Sequence, residues 1–395
     1  MKLSSDDLAM FFEPAHARLA ERLRATATAL EALERAGAAD RAIVDALAKA
    51  GLFELVCTAP VESPGPAGAH GNAERGGVSI DTRAICLARE ALGYVSARAD
   101  SILAVQGLGV HPLLLAGSDA QRAELPAFAR GERVAAFALT EPEAGSDVAS
   151  IQTRAVACAE GYRLDGDKLF ISNLGIADHA TVLAREGDQL TAFWVAIATP
   201  GIAIEPQQAI APHPIGALHL RGAIVPASAR IGAVGQGMKL AMQTLDAFRV
   251  SVGAAAVGMA RRALDEAVAF VTKRVQFGKP LSEQPLVQAH LADMAVDLDA
   301  ARLLVLRAAH RKDVSRERVT TEVSIAKLGA TEAAQRVIDR AVQLFGGRGV
   351  MAGATVEHLY RAIRPLRIYE GTSEIQRTII GRAIAQQQQS KEGLS

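Results

Sequence analysis

A switch in hydrophobic period, from helical to strand-like and back, limits this chain more than any other feature. Over the first third, apolar residues such as Leu8, Phe11, Phe12, Leu19, Leu23 and Leu30 return along one face, which predicts helices over 4–36 and 39–50. Further helices are expected from an Asp81 cap to about Gly93, over 97–116, and from Ser118 to near Gly131. Residues 58–79 carry Pro60, Pro64, Pro66 and several glycines and read as a loop. From Val134 to about Ile231 the apolar runs shorten (134–139, 169–171, 181–184, 191–197, 202–204 and 223–225) and are split by Gly, Pro, Asn and Asp. Such runs predict an antiparallel barrel or sandwich. After Gly235 the helical period returns over 238–274, 286–312, 320–345 and 356–364, a four-helix bundle with a further helix over 367–388. There is no βαβ unit and no internal repeat. The expected fold is α+β, mainly α, with a helical domain at 1–132, a β domain at 133–232 and a helical bundle at 233–395.

With 395 residues the chain exceeds what one hydrophobic core usually organises. Lys+Arg and Asp+Glu both number 43, so no global field draws nucleic acid or an anionic membrane. Cys57, Cys86 and Cys158 are far apart and odd in number, as in a reduced, cytoplasmic protein. The N-terminus lacks the apolar run of a signal peptide and is too acidic for a transit peptide. The longest weakly polar run, 250–260, is shorter than the roughly 18–20 residues that span a bilayer.

The stretch Arg367-Ile368-Tyr369-Glu370-Gly371-Thr372-Ser373-Glu374-Ile375-Gln376-Arg377 interrupts the helical C-terminal region. Glycine lets backbone approach a ligand, and the Thr-Ser pair can cap a helix starting at Glu374. Glu370 would then sit at a helix entrance beside backbone N–H groups, which suits proton abstraction next to a carbonyl. By itself the stretch reads more readily as a capped helix start with a solvated glutamate.

Four separated motifs carry a resemblance to the acyl-CoA dehydrogenase family. The first is Phe137-Ala138-Leu139-Thr140-Glu141-Pro142-Glu143-Ala144-Gly145-Ser146-Asp147, a strand ending in a turn that bears hydroxyls and exposed amides. The resemblance implies that Phe137, Leu139, Thr140, Gly145 and Ser146 contact a flavin, with Ser146 shared with the thioester. The second is Lys168-Leu169-Phe170-Ile171-Ser172-Asn173. Here the resemblance implies that Phe170 and Ile171 lie beside the flavin and that the Ser172 hydroxyl reaches it. Phe170 stands where the family often has Trp, so an indole N–H is lost.

The third motif joins Thr244-Leu245-Asp246-Ala247-Phe248-Arg249 to Arg274-Val275-Gln276-Phe277-Gly278. Asp246 and Arg249, three apart on a helix, resemble the pair that contacts CoA. Arg274, Gln276 and Phe277 resemble contacts to a neighbouring subunit's cofactor, Arg274 through its pyrophosphate. Some family members place their base where this chain has Phe248, which accepts no proton, so the role falls to Glu370. The fourth motif, Gln343-Leu344-Phe345-Gly346-Gly347-Arg348-Gly349, is a helix ending in glycines. Gln343, Gly346 and Gly347 are implied at the partner's cofactor phosphates. Around the Glu370 stretch the resemblance implies Thr372, Ser373 and Glu374 at the cofactor, and Gly371 and Arg382 at the substrate.

The resemblance implies an FAD-dependent α,β-dehydrogenation of an acyl-CoA, with Glu370 as base, in a homotetramer that passes electrons to an electron-transferring flavoprotein. An oxygen-reactive acyl-CoA oxidase-like relative and an inactive flavin-binding scaffold are the alternatives. Phe248 is expected to narrow the cavity toward short, branched or alicyclic acyl groups. Gly232, Gly235 and Gly237 have the wrong spacing for a dinucleotide fingerprint. His213 and His219 are not at metal-ligand spacing and read as turn or surface residues.

Overall fold

The computed structural model describes residues 1–58, 80–211, 213–315 and 317–392. Apart from Thr58, the loop expected at 58–79 lies outside them. The chain opens with α1 (Pro14–Arg35), α2 (Asp40–Lys49), α3 (Glu54–Cys57), α4 (Thr82–Val95), α5 (Ala97–Ala116), α6 (Asp119–Arg122) and α7 (Leu125–Ala129). The strands are β1 (Ala135–Ala138), β2 (Arg154–Cys158), β3 (Gly161–Ser172), β4 (His179–Glu186), β5 (Gln189–Ala196), β6 (Ile202–Pro206), β7 (Ile215–Val225) and β8 (Arg230–Ile231). Then come α8 (Gly237–Val271), a hairpin of β9 (Val275–Gln276) and β10 (Lys279–Pro280), α9 (Pro285–Val314), α10 (Thr320–Phe345), α11 (Thr355–Ile363) and α12 (Ser373–Glu392). They gather into two compact units.

One unit comprises Thr28–Asp81 and Arg98–Phe248. Its sheet runs β6-β7-β3-β2-β4-β5-β8, with β1 beside β4. Most pairings are antiparallel, as the short runs predict, but β4 pairs in parallel with both β1 and β2. The sheet is therefore mainly antiparallel, as expected, with parallel pairing at β4. These partners are not chain neighbours, so no tight hairpin dictates their direction. Strand β2 escaped the apolar reading because only Ala155 of its five residues is buried. The core is filled by Leu164, Val182, Phe193, Val195, Leu218 and Leu220.

Helix α5 is stitched to this sheet by buried polar bonds. Gln106 accepts from the Ala135 N–H at 2.7 Å, Thr181 Oγ1 donates to the Gly109 carbonyl at 2.7 Å, and Asn173 Nδ2 donates to the Ile102 and Ala135 carbonyls. By length and composition α5 could cross a membrane, contrary to the expectation that no run in the sequence is long enough. Yet 83% of its apolar window is buried inside the protein.

The other unit comprises Met1–Ala27, Thr82–Ala97 and Arg249–Ser395. Helix α4 is buried on all sides from Thr82 to Gly93. Two glycines let it touch α8 backbone to backbone. A Cβ on Gly93 would stand 2.3 Å from the Ala255 carbonyl oxygen, and one on Gly258 would stand 2.0 Å from that of Glu90. The first N–H groups of α4 donate to Asp313 of α9, at 2.9 Å from Thr82 and 3.1 Å from Arg83, so a distant carboxylate helps to close the helix start. The bundle's fourth helix, α11, is only 9 residues long.

The close crossing makes a direct prediction. Gly258→Ala is expected to destabilise the protein by about 1–3 kcal/mol through overpacking. Gly381→Ala, on α12 with open space around it, is expected to be neutral or to stabilise by up to ~1 kcal/mol. Urea unfolding of the two variants checks both signs.

Candidate active site

Glu370 follows the short 3-10 turn Arg364–Arg367 and precedes α12. Its φ is 52° and that of Gly371 is 91°, so the chain is left-handed at both. Glycine accepts this freely, whereas a glutamate there costs about 1–2 kcal/mol and must be held by its surroundings. Three donors hold it. Arg249 Nε donates to the Glu370 carbonyl at 3.1 Å, Lys327 Nζ to the Gly371 carbonyl at 2.8 Å, and Gln376 Nε2 to both, at 3.4 and 3.0 Å.

The Glu370 side chain is 6% exposed, and its Oε1 lies 3.9 Å from Arg89 Nη1. Arg89, on α4, is itself 1% exposed and donates to Ser251 Oγ at 3.0 Å. Burial pushes Lys327 down to about 8, against the pull of the Glu370 charge and with the push of Arg249. The glutamate that could have been a solvated helix start is therefore a buried carboxylate among cations.

Thr372 caps α12, its Oγ1 accepting from the Ile375 N–H at 3.3 Å. Ser373 does not join it as a cap, because the helix begins at Ser373 itself. Its buried hydroxyl donates to Glu332 of α10 at 2.6 Å, and Glu332 also pairs with Arg367 at 2.9 Å. The side chain of Ser373 thus bonds within the fold, on the residue expected at a cofactor. Glu374 is exposed and pairs with Arg377 at 3.5 Å, and Arg382 is exposed on α12. Arg249, expected at CoA, is buried with its Nε turned to the Glu370 carbonyl. Asp246, in the sheet-bearing unit, is half-buried.

In that unit the first two motifs lie side by side, since the Leu169 N–H donates to the Thr140 carbonyl at 2.9 Å. Lys168, fully buried, ties them together by donating to the Leu139 carbonyl at 3.2 Å and to Glu141 Oε1 at 2.8 Å. Burial pushes Lys168 down to about 8. Burial alone would raise the Glu141 carboxyl, but the Lys168 charge and the Gln152 N–H outweigh it and hold it low.

Phe137 and Thr140 are half-buried and Leu139 is buried, whereas Gly145 and Ser146 are exposed. A Cβ on Gly145 would meet nothing within 4 Å. Phe170, left-handed at φ 59°, is 62% exposed. An exposed ring next to open backbone is a surface on which a planar group can stack. Ile171 is different: its side chain belongs to the sheet core, so only its backbone is available to a ligand. Ser172 Oγ lies 3.2 Å from His213 Nε2. His213, set aside as a turn residue, is thus the partner of an expected cofactor contact, and burial pushes its pKa down.

The remaining motif residues sit at two exposed corners of the bundle-bearing unit. In the β9–β10 hairpin, Phe277 and Gly278 are both left-handed, at φ 52° and 79°, as a tight two-residue turn requires. Phe277 is 96% exposed. Arg274 is exposed at the hairpin's start, and Gln276 Nε2 donates to the Val275 carbonyl at 2.6 Å. At the end of α10 the Gln343 carbonyl accepts from the Gly346 N–H, and Gly346 and Gly347 are exposed with open space around them. Among the described residues no His, Cys, Asp and Glu cluster could hold a metal ion.

Sequence reasoning missed Arg89, Lys327 and Gln376, which surround the Glu370 turn, and Ser251, which anchors Arg89. Lys327 had a usable signal, a lysine on the buried face of an amphipathic helix. Arg89 had only the oddity of a charge inside α4.

Comparison with known proteins places the chain in a family. Residues 5–132 match the acyl-CoA dehydrogenase N-terminal domain, residues 136–223 its middle domain and residues 235–385 its C-terminal domain. The chain is 38% identical over 320 residues to the probable acyl-CoA dehydrogenase FadE25 of Mycobacterium tuberculosis, a match covering 79% of this chain and 82% of the relative. It superposes on butyryl-CoA dehydrogenase from Megasphaera elsdenii with a TM-score of 0.84 and 31% identity, over 95% of this chain and 99% of that one. A glutaryl-CoA dehydrogenase from Mycobacterium smegmatis in complex with FADH2 matches with a TM-score of 0.85 and 26% identity, over 97% of each chain. With the motif order, the fold and these likenesses in agreement, the chain belongs to the acyl-CoA dehydrogenase family of oxidoreductases.

Proposed function

We propose that this chain dehydrogenates an acyl-CoA thioester between carbons 2 and 3, with Glu370 as the base and FAD as cofactor. The observation that carries this reading is the buried carboxylate of Glu370 on a left-handed turn whose two carbonyls are held by Arg249, Lys327 and Gln376. A base must be kept within hydrogen-bond reach of one particular proton, and a braced turn does that better than a mobile side chain. Glu370 takes the proton from carbon 2, and its burial keeps water from competing. FAD, when bound, supplies the acceptor for the hydrogen that leaves carbon 3 with its electron pair. Phe170 offers a ring face to the flavin, Gly145 and Ser146 offer open backbone, and Ser172 with His213 offers a hydroxyl. The relatives solved as butyryl- and glutaryl-CoA dehydrogenases support a short acyl group. Phe248 adds no argument on chain length, because it is fully buried against Gly107 and edge-on to His111.

Electrons are proposed to pass to an electron-transferring flavoprotein, in a cytoplasmic homotetramer. The self-association is supported by apolar side chains left in the open on the bundle-bearing unit: Phe277, Leu286 at 79% and Val296 at 70%. Arg274, Gln276, Gln343, Gly346 and Gly347 are proposed to reach a neighbouring copy's cofactor.

Glu370→Gln is expected to keep its yellow colour and lose about 10²–10⁴-fold in the rate at which a short acyl-CoA bleaches the flavin anaerobically. Near-normal bleaching would remove Glu370 from the mechanism, and fast recolouring of the reduced protein in air would favour the oxidase-like alternative. Lys327→Met, which loosens the turn without touching the carboxyl group, is expected to lower kcat by about 10²-fold while flavin stays bound. Phe277→Asp is expected to give a smaller assembly by light scattering and to release flavin; an unchanged mass would refute the hairpin's part in assembly.

A further inference from the structure

We infer that Arg89 is a positioning residue for Glu370: anchored on Ser251, its guanidinium keeps the carboxylate ionised and in place before substrate arrives, and so sets the lower pH limit of turnover. The inference rests on the base role proposed for Glu370. A carboxyl group that is 6% exposed, with no nearby cation, would favour its neutral form and could not accept a proton. Arg89 supplies the opposing charge at 3.9 Å, from a position that is itself closed to solvent. Arginine suits this role better than lysine, because burial cannot strip its proton at any working pH.

The distance is set by the fold and not by the two side chains alone. Arg89 sits one residue before Glu90, whose carbonyl meets Gly258, and four before Gly93, which meets Ala255. Helices α4 and α8 therefore touch through their backbones close to the Arg89–Ser251 bond of 3.0 Å, at residues that follow Arg89 on α4 and Ser251 on α8. The guanidinium has little freedom to swing away.

Other charged groups stand around the same turn. Arg249 of α8 and Lys327 of α10 donate hydrogen bonds to the Glu370 and Gly371 carbonyl oxygens. Glu332 of α10 is matched by Arg367, and Glu374 of α12 by Arg377. Lys327, pushed down to about 8 by burial, titrates on the alkaline side and leaves the acid limb to Glu370. A neighbouring cation favours the carboxylate, so its loss lets Glu370 stay protonated to higher pH.

The test is the pH dependence of kcat/KM for Arg89→Met and Arg89→Lys, each purified with flavin bound and with its melting temperature recorded. The acid limb of Arg89→Met is expected to move up by about 1–2 pH units, with the rate recovering toward the wild-type plateau above it, and Arg89→Lys is expected to fall between. A limb that does not move, or a loss of equal size at every pH, overturns the inference. If Arg89→Met does not fold, Ser251→Ala takes its place, since it keeps the charge and removes its anchor; a smaller upward move supports the inference and an unmoved limb defeats it. Infrared pH-difference spectra, with Glu370→Gln marking the band, read the carboxylate without turnover and must show the same displacement. Normal turnover by Glu370→Gln would bring down the base reading and this inference together. An inactive Glu370→Gln beside an unmoved Arg89→Met limb would bring down this inference alone.

Discussion

Two carbonyl oxygens, those of Glu370 and Gly371, are the acceptors on which the site depends. Arg249, Lys327 and Gln376 reach them from three helices, and the left-handed turn persists because those bonds outweigh its backbone cost. The donors are buried with the turn, so each would leave an unsatisfied group in a low-dielectric setting if its acceptor moved. This coupling makes the orientation of one side chain a property of the bundle as a whole. It also gives Arg249 a bracing part in the fold.

The sheet-bearing unit uses the same device on a different motif. Lys168 is fully buried, and its charge is matched by Glu141 within the turn that follows β1. Glu141 in turn accepts from the Gln152 and Thr153 N–H groups, at 2.6 and 3.0 Å. A Pro/Gly turn that would otherwise wander is thereby fixed beside Phe170. Removing one partner of such a pair leaves a buried charge alone, which is far costlier than replacing both.

Much of the fold was legible because hydrophobic period reports directly on which face of an element is buried. Helix α5 emerged with the limits read from the sequence, since its apolar residues are continuous and its ends carry clear stop signals. Strand β2 did not, because one buried residue in five leaves no alternation to detect. In the site, Glu370 was legible through its neighbours Gly371 and Thr372, whose backbone roles are local. Arg89 and Lys327 were not, because what sets them apart is what they face, and helical period says that a residue is buried without saying against what. The inward-turned side chains of Ser373 and Ile171 were hidden for a related reason. A motif marks a stretch of backbone as close to a ligand, but packing decides which side chains turn away from it.

The bundle-bearing unit is assembled from three separated stretches of chain, with the residues of the other unit inserted between them. Glu370 belongs to the last stretch, while Arg89 and the helix that carries it belong to the second. During synthesis the inserted residues can collapse on local contacts, but α4 has no α8 to cross and must wait, buried faces uncovered, until the C-terminal helices emerge. Glu370 thus meets the Arg89 guanidinium only once the C-terminal helices have emerged, so a truncated or stalled chain cannot bring the two charges together.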